Sequence, residues 1–156
     1  MEALNIPKTD LKVLTKAGKQ YVFDVLRRKY VALTPEERVR QQFVHYLMSC
    51  KGYPAACIGN EVSIRLGNTR KRCDTVVYGR QAEPVMIVEY KAPDVEVTQQ
   101  VFEQISRYNI RLRVQWLVVS NGLQHYCCHM DYASGTYYFV EDIPPYSAIA
   151  GTEPPT

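Results

Sequence analysis

The sequence predicts an α/β protein of the α+β type: one mixed central sheet with helices packed against it, preceded by an N-terminal hairpin. Three observations predict it. Strand-like runs at 58–66, 72–78 and 84–90 follow one another with only short turns between them. Two segments with apolar residues at helical spacing flank that trio. The run Val85-Met86-Ile87-Val88 is apolar without alternation, which suits a central strand covered on both faces.

The elements follow in order. Leu11 to Thr15, the turn Lys16-Ala17-Gly18-Lys19 and Tyr21 to Val25 read as the hairpin, while 26–33 fits no single element. Thr34-Pro35-Glu36-Glu37 is a helix start, with Thr34 as N-cap, Pro35 at N1 and Glu37 as the capping-box partner. Val39, Phe43, Tyr46, Leu47 and Cys50 then mark a buried face, and Gly52 with Pro54 ends the helix. The three strands come next, separated by turns at Gly67-Asn68 and Gly79-Arg80-Gln81-Ala82. Thr98 caps a second helix with the stripe Val101, Ile105, Tyr108 and Leu112. Trp116 to Val119, Leu123 to Cys128 and Tyr137 to Val140 are further strands, the last at an edge. From Pro144 onward the chain is rich in Pro, Gly and Ala and is expected to be loosely ordered.

With 156 residues the chain suits one domain, large enough to fold without a disulfide or structural metal. Its five cysteines are an odd number without a C-x-x-C pair, unlike a secreted disulfide framework. His125 and His129 share a strand face, yet no third zinc ligand accompanies them. Met1 to Asp10 lacks the apolar segment of a secretory signal, and no run approaches the ~20 residues of a membrane span. A cytoplasmic location without membrane association is expected. The net charge of +3 decides little, but it is gathered in clusters such as Arg70-Lys71-Arg72, which suits a polyanion such as DNA.

The chemistry lies around the central strand. Val85, Ile87, Glu89 and Lys91 alternate onto one face, so Glu89 and Lys91 project together, about 7 Å apart at Cα. Asp74 lies on the preceding run, with Val76 and Tyr78 on its face. On neighbouring strands, Asp74 and Glu89 would converge on one ion, and the carbonyl of Tyr90 would add an oxygen. Mg²⁺ prefers such oxygen donors. A cation beside a divalent ion is what phosphodiester hydrolysis needs. The same residues also read as ion pairs at a sheet edge, with Asp74 paired to Arg70 or Arg72.

The stretch Arg72-Cys73-Asp74-Thr75-Val76-Val77-Tyr78, followed by Val85-Met86-Ile87-Val88-Glu89-Tyr90-Lys91-Ala92-Pro93, resembles the N-terminal nuclease domain of type I restriction enzyme R subunits, within the PD-(D/E)XK superfamily. The resemblance takes in the helix from Thr34 to Gln41, the Q-x-x-x-Y element Gln104 to Tyr108, and Val118 to Gly122. Cys73 stands where the superfamily motif has proline.

The resemblance implies a restriction-endonuclease-like fold over 34–142, with 1–33 as an extension and 143–156 as a tail. It implies a Mg²⁺- or Mn²⁺-dependent DNA endonuclease with Asp74 and Glu89 as metal ligands and Lys91 as catalytic cation. Gln104 and Tyr108 would steady the site or touch DNA, or else edge the helix's packing stripe. A first-helix acid often joins such sites. Glu36 is favoured because it falls on the buried side with Val39 and Phe43, whereas Glu37 is explained as a cap. Arg70, Lys71 and Arg72 are the candidate DNA contacts. Other restriction-system subunits or a second copy of the chain are candidate partners. The chain has no G-x-x-x-x-G-K-[ST] loop and no length for motor domains, so it would not translocate DNA by itself. The alternative function is a non-catalytic nucleic-acid-binding or assembly module that keeps the fold.

Overall fold

The computed structural model describes residues 3–152. A small antiparallel sheet comes first, built from β1 (Val13–Lys16), β2 (Lys19–Asp24) and β3 (Lys29–Ala32). The expected hairpin is its first two strands. The ambiguous segment 26–33 supplies the third, because Asp24 turns the chain back: its carboxylate accepts the backbone N–H groups of Leu26 and Arg27.

Helix α1 (Pro35–Lys51) begins as its sequence dictates, with the Thr34 hydroxyl accepting from the Glu37 N–H at 3.0 Å. The other half of the capping box is not made. Thr34 N–H donates to Ala32 O, and the Glu37 carboxylate is bound by Arg27, Arg40 and Gln41. Gly52 ends the helix in the left-handed region at φ 74°, where glycine pays no Cβ penalty. The buried face is Val39, Phe43, Val44 and Leu47 together with three polar residues, Glu37, Arg40 and Gln41, while Cys50 is exposed.

A short 3₁₀ turn (Ala55–Cys57) leads into the main sheet. It runs β4 (Ile58–Leu66), β5 (Thr69–Tyr78), β6 (Pro84–Tyr90), β7 (Trp116–Ser120), β8 (His125–Asp131) and β9 (Thr136–Val140), in that spatial order. All neighbours are antiparallel except β6 and β7. That parallel step requires a crossover, and α2 (Gln99–Leu112) provides it, capped by Thr98 at the Val101 N–H. Val76, Ile87, Phe102, Leu112 and Leu117 form the core on one side of the sheet. Phe43, Leu47, Val77, Met86 and Val118 form the core on the other. The central strand is therefore covered on both faces, as its unbroken apolar run requires.

Two expectations need correction. The buried face of α2 is Phe102, Ser106, Asn109 and Leu112, rotated about one residue from the predicted stripe, and Tyr108 is 52% exposed. The segment from Ile143 is also not loose over its described length. Ile143, Tyr146 and Ile149 are buried, the last two in the short helix α3 (Tyr146–Ile149). Tyr53 OH donates to Pro144 O, Tyr146 OH to Tyr78 O, and Arg80 N–H to Ala150 O. Gly79 permits that approach, since a Cβ there would lie 2.7 Å from Ala150 O. Residues 153–156 of the expected tail lie outside the described residues.

Candidate active site

The β5–β6 ladder pairs Thr75 with Val88 and Val76 with Ile87. Continued by one pair, that register sets Asp74 opposite Glu89, and residues opposite one another share a face. The regular ladder stops there. The Asp74 carboxylate takes the Tyr90 N–H instead, at 2.9 Å, which fixes Asp74 against the end of the central strand. Lys91 N–H donates to Ser120 O at 2.9 Å, so its backbone remains held to β7. A cleft of about 470 Å³ results, and Asp74, Glu89, Tyr90 and Lys91 line it. Glu36, Lys71, Arg72, Gln104 and Tyr108 line it too. Of the sequence candidates, Arg70 alone lies outside this lining, exposed on the far part of β5.

The electrostatics follow from crowding. Glu89 is only 8% exposed. Burial and the adjacent Asp74 carboxyl favour its protonated form, the Lys71 ammonium favours its charged form, and the first two prevail, pushing its pKa up to about 8. Lys71 Nζ donates directly to Glu89 Oε1. Burial works against the Lys71 charge, but the Glu89 contact outweighs it and raises the Lys71 pKa. Glu36 is pushed upward as well, by burial and then by Asp74.

Arg40 supports the cleft from beneath. Its guanidinium forks onto both Glu37 oxygens at 2.8 Å and reaches Glu61 at 2.8 Å and the Asp74 carbonyl at 3.0 Å. Burial opposes that charge, yet Glu37 and Glu61 hold it more firmly protonated than an ordinary arginine. Glu61 sits in β4 with φ 57°, a conformation costly for a side chain of its kind, and its other oxygen accepts from Arg72 at 2.8 Å. A second chain of bonds runs behind the site: Tyr90 OH to Thr75, Thr75 to Asn60, and Asn60 to Asp24.

The expected position of Glu36 on the buried side of α1 is corrected: Glu36 is exposed and Glu37 is buried. The helix phase turns Glu37 to the core, where it is consumed by arginines, and leaves Glu36 at the mouth of the cleft. Lys71, read from sequence as a DNA contact, lies instead on Glu89. Arg72 is paired to Glu61 rather than to Asp74. The α2 side chains Val101, Gln104, Ile105 and Tyr108 line the cleft, and Ile105 also packs against the adjoining core, so the apolar stripe marks the cleft wall as much as the core. His125 and His129 do not form a site. His125 bonds Ser120 and Asn5 O, and His129 lies between the rings of Trp116 and Tyr138. All five cysteines are free thiols.

Arg40, Glu61 and the Lys71 contact escaped the sequence reading. An arginine among Val39, Phe43 and Leu47, three residues after a glutamate, was a legible sign of a buried pair. The Lys71–Glu89 contact joins different strands and had no local sign.

The donor set fits a hard divalent cation. Two carboxylates meet on adjacent strands, and Mg²⁺ typically takes one or two carboxylates and leaves its remaining positions to water and phosphate. Among the described residues no group of three or more His, Cys, Asp and Glu side chains is arranged as a metal centre, so the carboxylate pair would be the whole side-chain contribution.

The fold has a solved counterpart. The chain superimposes on the fragment structure described as an HsdR subunit of a type I restriction enzyme from Vibrio vulnificus YJ016, with a TM-score of 0.53 and 19% identity. The match covers 75% of this chain and 24% of that one, so the chain corresponds to about a quarter of that fragment's length. The architecture is thus of the restriction-endonuclease-like class. Residues 35–144 match the family described as type I restriction enzyme R protein N terminus (HSDR_N), and the chain belongs to that family. No curated protein matches the chain. Among the described residues no helix is long and apolar enough to cross a membrane.

Proposed function

We propose that this domain is a metal-dependent DNA endonuclease module of a restriction system, with Asp74 and Glu89 holding Mg²⁺ or Mn²⁺ and Lys91 serving the reaction beside them. The observation that carries the reading is the carboxyl pair, closed into one cleft with Lys91 at the end of a buried strand. Unpaired charges in such a place are costly, and a shared cation is the simplest compensation. A bound divalent ion supplies Lewis-acid charge and a more acidic water.

The chain's own groups do the rest. Asp74 is held by the Tyr90 N–H, and its backbone by Arg40, so its carboxylate is fixed before substrate arrives. Lys91 sets an ammonium where negative charge grows on the phosphate oxygens. Gln104 and Tyr108 project from α2 into the same cleft, one turn apart, and orient the backbone of the nucleic acid. Arg70 and Arg72, both exposed on β5, offer positive charge to the phosphates of the nucleic acid, Arg72 while also paired to Glu61. The Tyr90 carbonyl is a further candidate oxygen. DNA and the remaining subunits of a type I restriction enzyme are the proposed partners.

The test is cleavage of supercoiled, linear and single-stranded DNA with Mg²⁺, Mn²⁺ or EDTA, for wild type and Lys91→Ala. The variant should lose on the order of 10²–10³ in single-turnover rate while keeping metal and DNA affinity, as expected for a group acting in the transition state. Equal cutting by both proteins would assign the activity to another site.

One observation favours the non-catalytic alternative. Lys71 already neutralises part of the acidic pair, so the carboxylates have a reason to persist without metal. DNA binding without cutting, under every metal and substrate form, would select that reading.

A further inference from the structure

We propose that Lys71 is a resident counter-cation of the acidic pair, which a divalent ion must displace from Glu89 in order to bind, with the ring of Tyr108 receiving the displaced ammonium. The proposal rests on the metal-binding reading above and specifies how that site is held when no divalent ion is bound.

The geometry supports it in three ways. Lys71 Nζ donates to Glu89 Oε1, and the two side chains are only 22% and 10% exposed, so the contact is largely shielded from water. It is therefore a stronger tie than a surface pair, where solvent would screen it. Second, an ammonium and a divalent cation cannot share one carboxylate oxygen at contact distance without strong repulsion, so the ion cannot take Glu89 Oε1 while Lys71 holds it. Third, the ammonium has somewhere to go. Its Nζ already lies 6.0 Å from the centroid of the Tyr108 ring, at the limit of a cation–π contact. Tyr108 is 52% exposed at the mouth of the cleft, and the four-carbon lysine stem is flexible enough to move towards it.

The pairing has a thermodynamic consequence. Only the fraction of molecules with Glu89 released can accept the ion, so the apparent metal affinity falls by that fraction. Removing the ammonium while leaving both carboxylates should therefore tighten divalent binding. A purely structural ion pair would behave otherwise. Its loss would lower stability equally with and without metal and leave the affinity unmoved.

The experiment is calorimetric titration of the full chain with Mn²⁺ and with Mg²⁺ over a series of pH values, the comparison being read on the alkaline plateau where protons no longer compete for Glu89, alongside thermal melts in EDTA and at saturating metal. The proteins are wild type, Lys71→Met, Lys71→Gln, Lys71→Arg and Asp74→Asn. Lys71→Met should bind at least about tenfold more tightly than wild type, the scale of one hydrogen bond to a charged group. Lys71→Arg, which keeps a cation, should stay within about threefold of wild type. In EDTA Lys71→Met should melt below wild type, and saturating metal should close the gap. Should Lys71→Met fail to fold, Lys71→Gln carries the same expectation. Wild-type binding that Asp74→Asn abolishes, with Lys71→Met or Lys71→Gln no tighter than wild type, would overturn the counter-cation role and leave the metal site standing. Absence of divalent binding in wild type and in both neutral variants would remove the metal site and this proposal together. Tight binding by the neutral variants with none by wild type would be the strongest support.

Discussion

Arg40 donates to the carbonyl of Asp74 at 3.0 Å, across 34 residues of sequence, and so joins helix α1 to the strand that carries the first acid of the cleft. The same guanidinium is shared with Glu37 and Glu61. A single side chain thus fixes the helix, the β4 strand and the acidic position relative to one another.

Removing that side chain should be severe. Arg40→Met leaves Glu37 buried with Arg27 as its remaining cation, and breaking buried pairs from one side costs about 3–5 kcal/mol. For a chain of this size that corresponds to a drop of roughly 10 °C in Tm. Urea unfolding should show it, and Glu37→Gln in the same chain should restore part of the loss. Strictly additive losses in the double variant would mean that the two side chains are not coupled.

Metal should act through the acidic pair. Mg²⁺ or Mn²⁺ in excess of its Kd should raise the Tm of wild type by mass action and leave Asp74→Ala unchanged. A thermal-shift series in each ion, against EDTA, measures this. Matching shifts in the two proteins would locate the ion elsewhere.

Stability should depend on pH in two opposite limbs. The Glu89 pKa is raised from 4.5 to about 8, so the metal-free folded state binds an extra proton. Its contribution is fully present below the unfolded value and is lost as pH rises through about 8. For Asp24, burial is outweighed by bonds from Arg27, Asn60 and Leu26, and its pKa falls from 3.8 to about 2. That contribution is present above 3.8 and is lost as pH falls through about 2. Urea midpoints in EDTA across this range should slope down towards alkaline pH, and Glu89→Gln should flatten that slope. Asp24→Asn should flatten the acid limb instead.

The basic edge should show itself in salt. Arg70→Ala should weaken DNA binding across all sequences and reduce the slope of log K against log salt by about one counterion. Arg72→Ala should have a smaller effect, because Arg72 is already engaged by Glu61. Fluorescence anisotropy at four or five salt concentrations separates the two. Identical slopes for Arg70→Ala and wild type would remove Arg70 from the interface.

The sequence was most legible where local chemistry decides structure. The Thr34 cap, the Gly52 stop and the apolar central strand each state their roles through neighbours in the chain, and of the three strands expected at 58–66, 72–78 and 84–90 the first and last form as read while the middle one begins three residues earlier, at Thr69. Asp74 and Glu89 came together because alternation fixes a side chain's face and a short turn joins β5 to β6. Other features depend on distant partners. Val101 and Tyr108 look like members of a core stripe, yet they line a cleft that exists only once β5 and β6 are in place. The prolines and alanines around 144–150 look like a loose end, but Ile143, Tyr146 and Ile149 among them are enough to join the core. Lys71 could be read as basic but not as the partner of Glu89, since nothing in a single strand says what its neighbour presents.

The family match stops at residue 144, but the closing segment continues to Ala150, where the backbone carbonyl is gripped by Arg80. A chain cut at the family boundary would lose Tyr146, Ile149 and Ala150, all of which pack in the same cluster as Val85 and Met86. The central strand that presents Glu89 would then lose part of its cover at the end opposite the cleft. The packed unit is therefore longer than the unit that is recognisable by descent, and its last turn works as a clasp at the end of the central strand away from the cleft.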